Sequence, residues 1–124
     1  MLIGEELSHR VIGAAIEVHR EMGPGLLESA YEECLCHELS LRGIRFQRQL
    51  EMPVRYKGVQ LECGYRIDLL VEASLVLELK SVEAIAPIHK AQLLTYLRLS
   101  QKQVGLLLNF NVMVLKDGLV RMVL

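Results

Sequence analysis

The sequence has no tryptophan, and aromatic residues make up only 5% of its 124 residues. Because single strands of nucleic acid bind largely by stacking their bases on aromatic side chains, such platforms are sparse here. The formal net charge is −1, from 14 basic and 15 acidic residues, whereas nucleic-acid-binding domains are usually strongly basic. This balance argues against a large phosphate-binding surface and is compatible only with local basic patches.

Signals for disulfides, zinc, secretion and membrane insertion are also missing. The three cysteines, Cys34, Cys36 and Cys63, are odd in number and include no C-x-x-C pair, so neither a disulfide nor a zinc framework is expected. We interpret them as reduced core residues, which predicts a cytoplasmic protein. The first ten residues do not resemble a signal peptide, and no apolar run is long enough to span a bilayer.

Material for a core is plentiful, because hydrophobic residues make up 52% of the chain. The length fits one domain, which we expect to cover residues 1–124. The sequence contains no Walker or dinucleotide phosphate loop, no G-x-S-x-G motif and no metal-binding spacing among its four histidines. Phosphate binding through such loops and serine-based hydrolysis therefore have no support.

Two amphipathic helices are predicted at the start of the chain. The inward face of the first is indicated by apolar residues at three- and four-residue steps, namely Leu7, Val11, Ala14, Ala15 and Val18. The sequence Gly23-Pro24-Gly25 ends this helix, because glycine suits a helix C-terminus and proline cannot continue it. A second helix is predicted over residues 26–41, with one face formed by Leu27, Tyr31, Leu35 and Leu39.

Three strands follow, because the apolar pattern changes to a period of two. The first covers residues 46–56, is interrupted near Pro53, and ends at a Lys57-Gly58 hairpin turn. In the second strand, odd-numbered and even-numbered residues point to opposite faces. One face carries the apolar residues together with Tyr65, namely Leu61, Cys63, Tyr65, Ile67, Leu69 and Val71. The other face carries Glu62, Gly64, Arg66 and Asp68. A turn at residues 72–74 leads into a third strand over residues 75–81, in which Leu75, Leu77 and Leu79 alternate with Val76, Glu78 and Lys80.

The last third of the sequence predicts a helix and further strands. Pro87 begins the helix, which runs to about residue 99 with an inward face of Ile88, Ala91, Leu94 and either Leu97 or Leu93. The apolar run 104–110 reads as a buried strand. Residues 112–115 and 119–124 read as a terminal strand pair around an Asp-Gly turn at residues 116–118. The predicted order is ααβββαβ with a β extension, an α/β (α+β) fold.

Asp68, Glu78 and Lys80 form the first candidate site. Glu78 and Lys80 are two apart on a strand and share a face. Asp68 lies opposite Glu78 if the turn is a three-residue loop centred on Ala73, whereas a two-residue loop would put the two carboxylates on opposite faces. Adjacent carboxylates can bind a hard divalent cation through their oxygens. A neighbouring amine could position or polarise a metal-bound water, or stabilise charge that develops on a phosphate. The alternative is that these are ordinary charges on the solvent side of the strand.

Two other regions could add to this site. Glu28 falls in the first turn of the second helix, where it either complements the helix dipole or reaches a metal held by the two carboxylates. Tyr31, three residues later, is either beside that site or a core tyrosine with one hydrogen bond. Gln92 and Tyr96 are one turn apart on the third helix and either face the carboxylates or serve helix packing.

The segment Gly25-x-x-Glu28-x-x-Tyr31 resembles the signature of the GxxExxY proteins, small members of the PD-(D/E)XK nuclease superfamily. The similarity extends over nearly the whole chain, through residues 17–25, 66–70, 77–82, 89–97 and 105–110. The resemblance implies a restriction-endonuclease-like αβββαβ core with a mixed sheet, to which this chain adds an N-terminal helix and a C-terminal strand pair. One departure is that Ile67 occupies the position where the superfamily name has proline.

The resemblance also implies roles for the candidate residues. The metal ligands would be Asp68, Glu78 and the carbonyl of Leu79, and Lys80 would be the catalytic lysine. Glu28 matches the additional acidic residue that many members carry on the preceding helix. Gln92 and Tyr96 match the Gln-x-x-x-Tyr motif of exonuclease-like branches.

We therefore predict a Mg²⁺- or Mn²⁺-dependent nuclease that hydrolyses phosphodiester bonds in DNA or RNA. The rival hypothesis is a non-catalytic nuclease-fold module that regulates or binds a partner protein. We also predict a homodimer, because apolar residues cover both faces of the C-terminal strands, namely Val112, Met113, Val114, Leu115, Leu119, Val120, Met122, Val123 and Leu124. The alternative is that the first helix covers this surface.

Overall fold

The computed structural model describes residues 4–124. Its helices are α1 (Glu5–Met22), α2 (Glu28–Leu41) and α3 (Pro87–Ser100), and its strands are β1 (Phe46–Tyr56), β2 (Val59–Val71), β3 (Leu75–Lys80), β4 (Val104–Asn109) and β5 (Leu119–Val123). A short 3₁₀ helix, Leu115–Gly118, precedes β5. The order confirms the predicted ααβββαβ pattern, and of the predicted β extension one strand, β5, is present among the described residues. None of the helices among the described residues is long and apolar enough to cross a membrane.

The five strands form one mixed sheet in the order β1-β2-β3-β4-β5. Neighbouring strands are antiparallel except for β3 and β4, which are parallel. Parallel neighbours need a crossover connection, and α3 supplies it. The mixed sheet predicted from the resemblance is thereby confirmed.

Helices cover both faces of the sheet. On one face, α1 and α2 pack on a core that includes Val11, Ala14, Leu35, Leu39, Leu77, Leu79, Leu106 and Leu108. On the other face, α3 packs on a second core that includes Leu93, Leu97, Ile67, Leu70, Val76 and Leu107. The central strands β3 and β4 are therefore buried on both sides, which explains their nearly continuous apolar sequences.

The turns between the first three strands agree with the sequence. Lys57 and Gly58 form a two-residue hairpin turn in which both φ angles are positive, 49° and 80°, as a tight hairpin requires. The predicted interruption at Pro53 is present as a shift of register between Met52 and Val54. Val71 pairs with Leu75, so residues 72–74 form the predicted three-residue loop.

The predicted inward faces of α2 and α3 were partly wrong. Leu27 was placed on the buried face of the second helix, but it precedes the first helical residue and is 75% exposed. Ile88, which is 60% exposed, and Ala91 also face outward. The buried residues of α3 are Leu93 and Leu97. The reason is tertiary: Leu93 packs so closely over Gly105 that a Cβ at that glycine would lie 2.7 Å from its Cδ1 atom.

The cysteine interpretation was correct for two of the three residues. Cys34 and Cys36 are free thiols that belong to or pack against the core beneath α1 and α2. Cys63 is also free, but it is exposed on β2 and is not a core residue. The reason is its position on the outer half of the β1–β2 hairpin, where the strands extend beyond the helices and nearly every residue is exposed.

The C-terminal strand pair was also predicted incorrectly. Residues 112–115 form no strand; instead, the His19 Nε2 atom hydrogen-bonds to the Val112 carbonyl at 2.7 Å and Leu115 is buried. Gly118 lies in the 3₁₀ helix, so close to β4 that a Cβ there would be 2.1 Å from the Asn109 carbonyl oxygen. The segment is therefore held by α1 and by the end of β4, and β5 pairs directly with β4. The alternative, that the first helix covers this apolar surface, holds only in part: Leu115 is buried in the core beneath α1, but Met113 and Val114 remain 85% and 51% exposed.

Candidate metal centre

The candidate centre lies where the regular pairing of β2 is interrupted. Between β2 and β3 the register ends with Leu69 opposite Leu77, and one further step along it places Asp68 opposite Glu78, as the loop length predicted. Between β1 and β2 the register pairs Arg48 with Leu69 and then Leu50 with Ile67. Among residues 4–124, no ladder pair on either side includes Asp68.

This interruption also changes which faces the β2 residues occupy. Ile67 belongs to the core beneath α3, whereas Leu69 and Val71 belong to the core beneath α1 and α2. The prediction that all three share one face was wrong. The physical reason lies opposite Asp68, where Gln49 has a left-handed backbone (φ 50°) that breaks the regular pleat of β1.

Hydrogen bonds tie the two carboxylates to each other's strands. The Asp68 N–H donates to the Glu78 Oε1 atom at 3.3 Å, and the Leu79 N–H donates to the Asp68 Oδ2 atom at 2.8 Å. Glu78 is only 6% exposed. The alternative of ordinary solvent-facing charges therefore does not describe Glu78. Side chains replace the missing ladder bonds and thereby hold both carboxylates in place.

The electrostatics of this pair disfavour the ionised form of both carboxylates. Burial, and then the charge of Asp68, raise the pKa of Glu78 to about 8. Burial also raises the pKa of Asp68. The Lys80 ammonium acts in the opposite direction on the pKa of both groups, but among the described residues it forms no ion pair within 4 Å. A divalent cation between the carboxylates would supply the missing positive charge.

Glu28 reaches the same region from the start of α2. Its Oε1 atom accepts a hydrogen bond from the Ser81 N–H at 3.2 Å, just after β3 ends. The Ser81 hydroxyl in turn donates to the Leu26 carbonyl at 2.7 Å. Ser81 thus fastens the loop before α2 to the end of the strand that carries Glu78. A cavity of about 260 Å³ is lined by Glu28, Ser29, Glu32, Gln49, Asp68 and Leu79.

Tyr31 is a core residue that holds this loop. Its hydroxyl accepts a hydrogen bond from the Leu26 N–H at 3.1 Å and donates to the Gly23 carbonyl at 2.5 Å. Its ring is fully buried and stacks on Phe110, with ring centroids 4.5 Å apart. Of the two interpretations of Tyr31, the core tyrosine is correct, with two hydrogen bonds rather than one.

Tyr31→Phe is expected to destabilise the protein by about 1–3 kcal/mol, because the substitution removes the hydroxyl while the ring still stacks on Phe110. Urea unfolding measures this loss. The matched control is Tyr56→Phe, since Tyr56 is 60% exposed and its ring contact with Lys57 needs no hydroxyl. Equal stability of the two variants would contradict the assigned role of the Tyr31 hydroxyl.

Of the two candidates on α3, Tyr96 lies close enough to the carboxylates for their charges to act on it. Burial raises the pKa of Tyr96, and the negative charges of Glu78 and Asp68 raise it further. Its ring also meets the ring of Tyr65 edge-on, at a centroid distance of 6.3 Å. Gln92 is exposed, and its side chain makes no hydrogen bond in the described part of the chain.

Two residues near the centre were missed from the sequence. Glu32 is buried and lies one helical turn after Glu28, a spacing that could have identified it. Gln49 donates from its Nε2 atom to the Glu32 Oε1 atom at 2.6 Å and to the Asp68 Oδ1 atom at 3.3 Å. No local pattern marks Gln49, because its position depends on the irregular pairing of β1 with β2.

The residues present suit a divalent ion that keeps open coordination positions. Within residues 4–124, no three His, Cys, Asp or Glu side chains are grouped closely enough to hold a metal by themselves. Mg²⁺, however, usually binds one or two carboxylates and completes its shell with water and substrate phosphate. Asp68 and Glu78 provide carboxylate oxygens of this kind.

Comparison with known proteins agrees with this geometry. The family model of the PD-(D/E)XK nuclease superfamily matches residues 5–122. No curated protein and no solved structure matches the chain. The matched range includes the mixed sheet except for the last residue of β5, the helices on both of its faces and both carboxylates of the centre. On this match, the chain belongs to the PD-(D/E)XK nuclease superfamily.

Proposed function

We propose that the protein is a nuclease that hydrolyses phosphodiester bonds with Mg²⁺ or Mn²⁺ held by Asp68 and Glu78. The observation that carries this proposal is a pair of adjacent carboxylates, Glu78 buried and Asp68 half-buried, each hydrogen-bonded to the other's strand, without an ion-paired cation within 4 Å among the described residues. Membership of the nuclease superfamily supports the same reaction class. The signature of Gly25, Glu28 and Tyr31 supports placement in the GxxExxY branch.

Each side chain then has a distinct part in the reaction. When bound, the divalent ion would polarise the phosphate and lower the pKa of a bound water. Asp68 and Glu78 bind the ion, with the Leu79 carbonyl as a further oxygen donor. Lys80, whose charge already lowers the pKa of both carboxylates, stabilises negative charge that develops on the phosphate. Tyr96 is on α3, which covers the face of the sheet opposite to the face covered by α2 and its Glu28. In this proposal Tyr96 orients the substrate.

The substrate in this proposal is DNA or RNA bound over a small area. The net charge of −1 supports few phosphate contacts. Exposed side chains near the centre include Arg66, but it is paired with Glu51 at 3.2 Å. In this proposal the nucleic acid is therefore recognised either through a few contacts close to the metal or through a partner protein.

The proposal is tested with purified protein and labelled single-stranded, duplex and branched nucleic acids. We expect cleavage with Mg²⁺ or Mn²⁺ and none after chelation by EDTA. Asp68→Asn keeps an oxygen that can accept the Leu79 N–H bond but removes the charge, so cleavage is expected to fall by roughly 100-fold or more. Cleavage that persists unchanged in Asp68→Asn would exclude this centre as the active site.

The second candidate function is a non-catalytic module that binds a partner protein, and the near-neutral charge favours it. Mn²⁺ titration by calorimetry separates the two. A folded protein that takes up Mn²⁺ at Asp68 and Glu78 supports the nuclease, whereas a folded protein that takes up none supports the module.

We also propose that the protein forms a homodimer through the outer edge of β5. This strand ends the sheet, so its outer backbone groups have no strand beside them among the described residues. Val123 and Leu124 expose about half of their surface there. Sedimentation velocity at high protein concentration tests this proposal, and a purely monomeric protein contradicts it.

A further inference from the structure

Gln49 sits between two carboxylates that are not bonded to each other. Its Nε2 atom lies 2.6 Å from the Glu32 Oε1 atom and 3.3 Å from the Asp68 Oδ1 atom. Both neighbours are carboxylate oxygens, which only accept hydrogen bonds, so the NH₂ end of the amide must face them. Each of its two N–H groups therefore serves a different acid, one on α2 and one at the candidate metal centre.

The backbone at Gln49 adopts a conformation that is unfavourable for this residue type. Its φ angle is 50°, in the left-handed region that residues other than glycine, asparagine and aspartate rarely adopt. Such conformations persist where surrounding contacts impose them, and they concentrate at functional sites. The left-handed turn lies at the interruption of the ladder opposite Asp68, where it brings the amide towards that carboxylate.

Glu32 is anchored independently of Gln49. Its Oε2 atom accepts hydrogen bonds from the Arg48 Nη2 atom at 2.9 Å and from the Arg48 Nε atom at 3.3 Å. Arg48 also pairs with Glu33 at 2.7 Å on the surface. This ion pair already joins α2 to β1. Gln49 is not needed for this contact between α2 and β1. It adds a hydrogen bond that connects Glu32 to Asp68.

We propose that Gln49, held by Glu32, is a positioning residue that fixes Asp68 for metal binding. This inference rests on the proposed function, because it assumes that Asp68 is a metal ligand. The Leu79 N–H holds the Asp68 Oδ2 atom and the Gln49 amide holds Oδ1, so the carboxylate cannot rotate freely. The amide also separates the negative charge of Asp68 from that of Glu32. Replacing a residue that orients a metal ligand in this way typically lowers metal affinity by about 10- to 100-fold.

The direct test measures Mn²⁺ binding by calorimetry with Gln49→Met. Methionine has a similar length and fills the same space, but it donates no hydrogen bond. We expect Mn²⁺ binding to weaken by about 10- to 100-fold. Gln49→Gly, which accepts the left-handed backbone without any side chain, is expected to bind Mn²⁺ as weakly. Circular dichroism and thermal unfolding establish that each variant is folded.

Two further measurements separate positioning from a purely structural role. Because Gln49 does not touch the reacting atoms, cleavage by Gln49→Met should return to within about 3-fold of the wild-type rate at saturating Mn²⁺, so that the metal requirement rises while kcat is kept. Glu32 acts through Gln49, so Glu32→Ala combined with Gln49→Met should weaken Mn²⁺ binding no more than Gln49→Met alone. Glu32→Gln keeps an oxygen acceptor for the amide and should retain near-normal affinity.

Glu33→Gln is the matched control, because Glu33 contacts Arg48 but makes no hydrogen bond with Gln49 in the described part of the chain. Its Mn²⁺ affinity should equal that of the wild type. Equal Mn²⁺ affinity of folded Gln49→Met and wild-type protein would overturn this inference and leave the proposed function intact. Failure of the wild-type protein itself to bind Mn²⁺ would overturn both.

Discussion

Glu78→Gln is expected to make the metal-free protein more stable at about pH 8 while strongly reducing the proposed nuclease activity. In the wild type, burial and the charge of Asp68 raise the pKa of Glu78 to about 8, so ionising this group weakens the fold. Glutamine has the same shape, can accept the Asp68 N–H bond and never ionises. The difference between the ordinary pKa of 4.5 and about 8 corresponds to a gain of about 4 kcal/mol at about pH 8. Under the proposed function, loss of the Glu78 carboxylate should lower cleavage by roughly 100- to 1,000-fold.

Urea unfolding in EDTA and a cleavage assay in Mn²⁺ measure these opposite effects. The matched control is Glu83→Gln, because Glu83 is exposed just after β3 and its replacement should change neither quantity. A Glu78→Gln protein no more stable than the wild type would show that the buried charge is tolerated without a metal. A variant that keeps full activity would remove Glu78 from the metal site.

The metal-free protein is also expected to lose stability as the pH rises from about 5 to about 8. The folded-state pKa of Glu78, about 8, lies above the ordinary value of 4.5. Between these two values the folded state keeps a proton that the unfolded state has released, so each increase in pH favours unfolding. The shift in Asp68 has the same direction, because burial raises its pKa too. The stabilisation is complete below about pH 4.5 and is lost once the pH passes the folded-state pKa.

Divalent metal should reverse this trend. An ion that binds only the folded, ionised site adds about 2.7 kcal/mol of stability when its concentration is about 100 times its dissociation constant. Urea unfolding at about pH 5 and about pH 8, with EDTA and with Mn²⁺, measures both effects. Subtracting the Glu78→Gln curve isolates this site from other titrating groups. A wild-type curve parallel to that of Glu78→Gln over this range would contradict the raised pKa.

The central part of the site could be predicted from the sequence because strand geometry is simple to count. Glu78 and Lys80 share a face by alternation, and the three-residue loop brings Asp68 opposite Glu78. These relations depend only on neighbouring residues and on one turn. The loop at residues 72–74 contains no glycine, however, and both Glu72 and Ala73 adopt positive φ angles, 48° and 55°. Its length, rather than its composition, therefore carried the prediction.

The parts that could not be predicted depend on contacts between distant segments. Gln49 lies in a strand whose composition gives no sign of a left-handed residue, and its role arises from Glu32 and Asp68, which lie 17 and 19 residues away. Residues 112–115 have an apolar pattern that suits a strand equally well. The contact with His19 and the close approach of Gly118 to Asn109 decide otherwise.

The residues of the Gly25-x-x-Glu28-x-x-Tyr31 signature serve different purposes. Gly25 has a φ of 102° and allows the loop its bend, and Tyr31 locks that loop onto Phe110 at the end of β4. Only Glu28 lines the cavity beside Asp68. Two of the three signature residues therefore stabilise the loop before α2, and only one lies near the candidate metal centre. A relative could retain all three residues after losing its acidic pair, and a search by this signature would group such a silent descendant with working enzymes.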